Sequence, residues 1–189
     1  PRPFTAFEAG DPFVVKQFSE SLRQLMEAGL GSGQGPIFPQ VGRLNKKIRE
    51  MIQGSIFHNV EVRLDRTGMR KRIVLQVNDS QLPFMTWSAG QREFIPLLLG
   101  LYWLLPSSKL SKRQEIEWVV IEEPEAGLHP QAISAVLFTL LELIHRGYKV
   151  VVSTHAPQVL EMIWAIRMLQ SAKAGPDSLL RLFGLKDRY

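Results

Sequence analysis

Apolar positions at intervals of three and four alternate along this chain with runs at intervals of two or one, so both helices and strands are predicted. Residues 12–28 set Phe13, Val14, Phe18, Leu22, Leu25 and Met26 on one side of an amphipathic helix that Gly29 stops. The glycine-rich stretch 29–39 reads as a mobile loop or linker. Residues 41–52 predict a second, basic helix with Val41, Leu44, Ile48, Met51 and Ile52 on one face. The period then shortens to two. Residues 56–64 and 72–77 alternate apolar and polar side chains around the turn-like stretch 65–68, which predicts a β-hairpin, and 78–83 reads as a connecting loop.

The helix predicted from Ser88 to Leu105 is hydrophobic nearly all round and therefore internal. Ser88 is its expected N-cap, and Gln91 three residues later completes a capping box. A polar loop follows at 106–113. Trp118, Val119, Val120 and Ile121 then run without interruption into Glu122 and Glu123, and the chain is turned by Pro124, Gly127 and Pro130. Such a run ended by breakers predicts a buried parallel strand. Residues 131–145 form an amphipathic helix behind Pro130, with Gly147 as its stop. Residues 148–153 predict a second buried strand that leads into Thr154, His155 and Ala156, and Pro157 opens a helix reaching about residue 170. Strand, helix, strand, helix in that order predicts an α/β fold with a parallel sheet and right-handed crossovers.

Composition narrows the class. The 189 residues, 45% hydrophobic and 22% charged, suit one folded domain with a substantial core. No apolar run has the length of a membrane span and the start has no signal-peptide pattern, so no membrane partner is expected. A first residue that is Pro1, not Met, suggests a piece of a longer chain. With no cysteine there are neither disulfides nor thiolate metal sites, which fits a cytoplasmic setting. The net charge of +5 and pI near 9.7 favour an anionic partner: nucleic acid, nucleotide or an acidic protein face. Basic residues gather at 43–50, 63–72 and 109–113, but acids interleave two of these clusters, as they do on an ordinary solvated face.

The candidate chemistry lies where the two parallel strands end. Both deliver acids or a histidine, Glu122, Glu123 and His155, to one edge of one sheet. Open α/β sheets bind ligands beyond their strand ends, and a buried carboxylate there needs a cation, a metal or a proton. Taken singly, the two acids also fit ordinary strand-end residues, and His155 a satisfied core histidine. His129 and His145 read as structural, the four tryptophans as core or interface, and no His or Cys spacing suits a metal. The amides opening the Ser88 helix can receive an anion. The glycines at 29–35 are not a phosphate loop, because that loop ends in Gly-Lys-Ser/Thr and the chain has no Gly-Lys pair.

Three motifs in this order resemble the C-terminal lobe of ABC-type ATPase heads, in the soluble branch that includes SMC, RecF and OLD (overcoming lysogenisation defect) proteins. SAGQRE at 88–93 resembles the ABC signature, VVIEEPEAGLHP at 119–130 the Walker B strand with its D-loop, and STHAP at 153–157 the switch-histidine loop. EEPEAGLHP together with THAP points to the OLD-like branch. The resemblance implies a parallel-sheet P-loop NTPase lobe over 88–189, preceded by a helical segment with a linker at 1–55 and a hairpin with its connector at 56–87. It implies ATP and Mg²⁺ as cofactors, with Glu122 helping to hold the metal through water, Glu123 as general base or polariser of the attacking water, and His155 at the γ phosphate. Ser88, Ala89, Gly90, Gln91 and Thr154 would bind nucleotide, partly in trans on a second protomer, and Glu125, Ala126 and Gly127 would form the D-loop at that dimer interface. Most ABC heads carry Asp where Glu122 stands.

Two functions are then expected. One is an ATP-hydrolysing head that dimerises around Mg-ATP and moves an effector protein or engages nucleic acid, its Walker A loop supplied by an N-terminal lobe. The other is a non-catalytic regulatory or scaffold module, for which the missing Gly-Lys pair speaks.

Overall fold

The computed structural model describes residues 13–28, 35–66, 71–105, 112–113, 115–175 and 178. Among these, five α-helices surround two small sheets. The order is α1 (Phe13–Ala28), α2 (Lys46–Ser55), β1 (Glu61–Asp65), β2 (Arg72–Val77), β3 (Ser80–Pro83), a 3-10 turn (Phe84–Thr86), α3 (Ala89–Leu104), β4 (Trp118–Glu122), α4 (Pro130–His145), β5 (Lys149–Ser153) and α5 (Pro157–Ser171).

The centre of the molecule is α3. Phe94, Ile95, Leu98, Leu99, Leu101 and Tyr102 are all at most 1% exposed, so the helix is interior on nearly every side. Each such side chain contributes on the order of 1.5–3 kcal/mol by leaving water. That burial overrides Pro96, which lies inside the helix and has no N–H to give to the preceding turn. Phe57 packs against Phe94 and Phe38 with ring centroids 6.1 and 5.2 Å away. Phe18 of α1 fills the space left by Gly100, where a Cβ would meet its ring at 2.9 Å. One cluster of buried residues runs from Leu22 through α2, β1 and α3 to Tyr148.

The first half departs from the sequence pattern in four places. Residues 35–39 are not a mobile linker: Ile37 and Phe38 are buried, and both their amides donate to the Val62 carbonyl, at 2.7 and 3.1 Å. The remainder of the glycine-rich stretch, 29–34, lies outside the described residues. The second helix starts later than its apolar spacing suggests. Gly42 (φ 94°) turns the chain, Asn45 caps α2 by accepting from the Lys47 amide at 3.0 Å, and Val41 is left 83% exposed. The hairpin's first strand is also shorter. Ile56 closes the end of α2, the left-handed residues His58 and Asn59 redirect the chain, and pairing begins at Glu61. Finally, the stretch taken as a loop at 78–83 contains β3. It pairs antiparallel with β2 from Val77↔Ser80 to Val74↔Pro83 across a turn in which Asn78 has φ 50°. The signal was Asn-Asp between two pairing residues, and Pro83 is tolerated because β3 is an edge strand.

In the second half β4 and β5 pair in parallel, Trp118↔Lys149 through Glu122↔Ser153. The connecting helix α4 covers one face. Ile121, Val150 and Val152 meet Ile133, Leu137 and Leu140 there. Full burial of the strands does not hold: Trp118, Val120 and Val151 on the opposite face are 57%, 67% and 46% exposed, because among the described residues no element lies over them. Lys149 partly shields Trp118, its ammonium 5.1 Å from the ring centroid. Tyr148 ties this layer to the centre, its hydroxyl donating to the Leu104 carbonyl at 2.7 Å and accepting from the Arg113 amide at 2.8 Å.

Candidate active site

Beyond the carboxyl ends of β4 and β5 the chain makes two turns that face each other. Glu122 ends β4 opposite Ser153. Glu123 follows in the left-handed region at φ 44°. Its amide donates to the Ser153 carbonyl at 2.9 Å, and its own carbonyl accepts from Ala126 at 2.9 Å, so both sides of the peptide hold this conformation in place. A left-handed glutamate costs on the order of 1–3 kcal/mol, a kind of strain that gathers at functional sites. The Oε1 of Glu123 stands 3.1 Å from Nε2 of His155, thirty-two positions along the chain, as the shared strand ends demand. Neither group is buried: the side chains are 54% and 88% exposed. The desolvation penalty expected for these acids is therefore absent within this chain. The pair is an open half-site facing solvent.

Glu125 behaves differently from the D-loop role expected of it. Its Oε1 accepts from the Thr154 hydroxyl at 2.6 Å, the His155 amide at 2.8 Å and the Ala156 amide at 3.1 Å. The contact is within the chain, across from one turn to the other. Ala156, which precedes α5, has no side-chain cap of its own, and Glu125 supplies an acceptor from outside. Burial raises the Glu125 pKa, but the hydrogen bonds from Thr154 and the neighbouring amides outweigh it and hold the carboxyl below its ordinary range. The sign of the resulting pH dependence follows. A carboxyl with a depressed folded pKa stabilises the fold above its unfolded value near 4.5 and loses that contribution as pH falls through the folded value. The melting temperature should therefore fall more steeply between pH 5 and 2 in the wild type than in Glu125→Gln, read by circular dichroism, at pH values of about that range.

The start of α3 packs against the same turn. Ser88 and Gln91 form the expected capping box: the Gln91 amide donates to the Ser88 hydroxyl at 3.3 Å, and the Ser88 amide to Gln91 Oε1 at 3.1 Å. Replacing Ser88 by Ala should cost about 1 kcal/mol of stability, measurable by denaturant unfolding. The far end of the Gln91 amide donates to the buried Ile56 carbonyl at 3.1 Å. Both ends of that side chain are thus engaged inside the protein. Ala89 and Gly90 lie against Gly127, whose φ is 68°. The start of α3, the Glu125–Gly127 turn and the Thr154–Ala156 loop, separate in sequence, thus lie in contact with one another.

No group of three or more His, Asp or Glu able to hold a metal stands among the described residues. An all-protein metal cage is therefore not built here. Mg²⁺ commonly takes one or two carboxylates and completes its shell with phosphate and water oxygens, and Glu122, exposed at the strand end, is a donor of that type. His129 is a cap residue, Nδ1 accepting from the Gln131 amide at 3.4 Å. Basic residues in two clusters have acidic neighbours, Arg63 with Glu61 at 2.8 Å and Lys46 with Glu50 at 3.7 Å. Of the other basic positions in these clusters, Arg70 and Lys109 lie outside the described residues. No described helix is long and apolar enough to cross a membrane.

Residues 15–161 match the model of a family described as "AAA domain, putative AbiEii toxin, Type IV TA system". The chain belongs to this family. The match places it in an OLD-like AAA-type ATPase family with a P-loop NTPase fold, and the described residues form an α/β arrangement with a parallel sheet. A 63-residue stretch, 33% of this chain, is 36% identical to the Old nuclease of Escherichia phage P2. That stretch covers 11% of the phage protein, so the chain spans a small part of the relative it matches. AAA-type ATPases bind nucleotide together with Mg²⁺ as a rule.

Two features of this surface are not legible from residue types. Nothing in the sequence marks Glu123 as left-handed. The Glu125 to Thr154 clasp joins residues from separate loops, and only the parallel register of β4 and β5 brings them together.

Proposed function

We propose that this chain provides the water-side carboxylate, the metal-side carboxylate and the sensing histidine of an ATP-hydrolysing head. The observation that carries the reading is the 3.1 Å approach of His155 to Glu123 at the open end of two parallel strands, with Glu123 held in a strained conformation. Phosphoryl transfer needs positioning and charge stabilisation more than covalent chemistry. Glu123 accepts a hydrogen bond from the attacking water and draws off its proton. His155 orients Glu123 and reaches the γ phosphate, reporting its loss. Glu122 would hold Mg²⁺, which when bound would offset the charge of the phosphates. The backbone amides at Ser88, Ala89 and Gly90, at the positive end of α3, face the γ phosphate of a nucleotide held by a second protomer. The turn of Glu125, Ala126 and Gly127 lies beside that interface, and Thr154 supports the histidine loop.

The phosphate loop comes from another lobe, since no Gly-Lys pair exists in these residues. The openness of the Glu123 and His155 side chains fits a half-site that the second lobe and second protomer close. Closure drives movement of an effector protein or engagement of nucleic acid. The absence of Gly-Lys equally supports a second reading, a non-catalytic scaffold derived from an ATPase. Phosphate release from Mg-ATP by the protein that carries the phosphate loop separates the two, and release that survives Glu123→Gln unchanged overturns the catalytic reading.

A further inference from the structure

We propose that Glu125 is a positioning residue that sets the place of His155, coupling the turn after β4 to the loop after β5. The proposal rests on the ATPase reading above for its functional consequence, but not for its structural content. Three donors converge on one oxygen of Glu125: the Thr154 hydroxyl and the amides of His155 and Ala156. The Thr154 hydroxyl oxygen also accepts from the Ala156 amide at 3.0 Å, so hydroxyl, amides and carboxylate form one closed network. The backbone nitrogen of His155 is itself a member, while its imidazole is exposed and meets Glu123 Oε1 at 3.1 Å. Of the interactions fixing the His155 backbone, this clasp is the one that reaches across from the other strand.

The other carboxylate oxygen supplies an independent observation. Oε2 of Glu125 is buried and has no hydrogen-bond partner among the described residues. An orphaned buried carboxylate oxygen is a cost that a plain loop staple does not need, since a shorter or neutral acceptor would serve a staple without it. A carboxylate instead gives the three donors a charged acceptor, and charge-assisted hydrogen bonds are about twice as strong as neutral ones. Glu125 also sits in the turn that packs on α3, with Leu128 N donating to its carbonyl at 3.0 Å and Gly127 against Gly90. A displacement at the start of α3, such as docking of an anion there, is thereby passed through the 124–127 turn to His155 by direct contacts.

The test uses the protein that carries the phosphate loop, with amide hydrogen exchange and ATPase kinetics measured on the same variants. In Glu125→Ala the His155 and Ala156 amides should exchange about tenfold to a hundredfold faster, the loss of hydrogen bonds to a charged acceptor. In Glu125→Gln, which keeps an acceptor in place, the increase should be smaller. With Mg-ATP, Glu125→Ala should lower kcat by about tenfold to a hundredfold with KM little changed, as for a misplaced catalytic group, and Glu125→Gln should recover part of it. In a His155→Ala background, Glu125→Ala should lower kcat no further, since the two act as one unit. Thr154→Val, close in volume and without the hydroxyl, should move exchange and kcat in the same direction by less, and serves if Glu125→Ala fails to fold. Unchanged exchange in Glu125→Ala overturns the clasp. Full additivity with His155→Ala, or a change in KM alone, overturns the positioning role. A wild type that releases no phosphate sinks the ATPase reading, while the exchange rates still decide whether the clasp exists.

Discussion

Replacing Glu123 by Gln is expected to slow phosphate release by about a hundredfold to ten-thousandfold, the range contributed by a positioned general base. Binding of ATP should remain, because the substitution keeps shape and hydrogen-bond reach and removes only the charge that accepts the proton. Stability should stay within about 0.5 kcal/mol, since the side chain is more than half exposed and its partner His155 is more exposed still. The kinetic signature is a fall in kcat with KM for ATP held, measured by continuous phosphate release on the protein that carries the phosphate loop. A parallel loss of kcat and ATP affinity would move Glu123 from the water to the nucleotide. Glu123→Gly separates strain from chemistry. Glycine adopts φ 44° at no steric cost, so this variant should melt no lower than wild type and yet be as inactive as Glu123→Gln. A residue whose removal relieves the backbone and abolishes turnover is one whose conformation is maintained for function.

How much of this could be read from residue order depends on whether the determining contact is local. The capping box of Ser88 and Gln91 is encoded within four positions, and it forms as read. The interior character of α3 and the parallel pairing of β4 with β5 are likewise carried by apolar runs long enough to fix their own burial or direction. The apolar run of β4 misleads on one point: Val120 and Trp118 are as hydrophobic as a doubly covered strand requires, but α4 can cover only one side of the sheet, and the other side is open. Phe38 misleads in the opposite sense. Its glycine and proline neighbours signal a loop, yet the bridge to Val62 and the ring of Phe57, itself packed on Phe94, draw it to complete burial. The site divides the same way. The strand ends point to Glu122, Glu123 and His155 as candidates, but which carboxylate meets the imidazole and which its backbone depends on the turns between them. Residue type carries no trace of that. It is set by the two turns that follow β4, through Ala126 N to the Glu123 carbonyl and Leu128 N to the Glu125 carbonyl.

Gly90→Ala is expected to destabilise the chain by about 1–3 kcal/mol, as overpacking does in a site that cannot relax. A Cβ at this position would lie 2.5 Å from the Gly127 carbonyl oxygen, 3.0 Å from Leu128 Cδ2 and 3.2 Å from the Gly127 carbonyl carbon. The leucine terminus can swing away; the carbonyl cannot. Gly127 is held at φ 68° in a turn whose Glu125, two residues earlier, is anchored to Thr154, His155 and Ala156, so moving its oxygen drags the loop after β5. Alanine gains up to about 1 kcal/mol over glycine in a helix, which reduces the net loss without reversing it. Gly54→Ala in α2 isolates that gain, because a Cβ there meets nothing within 4 Å, and it should stabilise the protein by about 0.5–1 kcal/mol. Denaturant unfolding of the two variants without nucleotide decides what the signature glycine is for. If Gly90 only lets a phosphate approach α3, Gly90→Ala should unfold at the wild-type midpoint and reveal itself solely in ATP kinetics. If the close fit to Gly127 governs, stability falls before any nucleotide is added, and the loss reaches the histidine loop as faster exchange of the His155 amide.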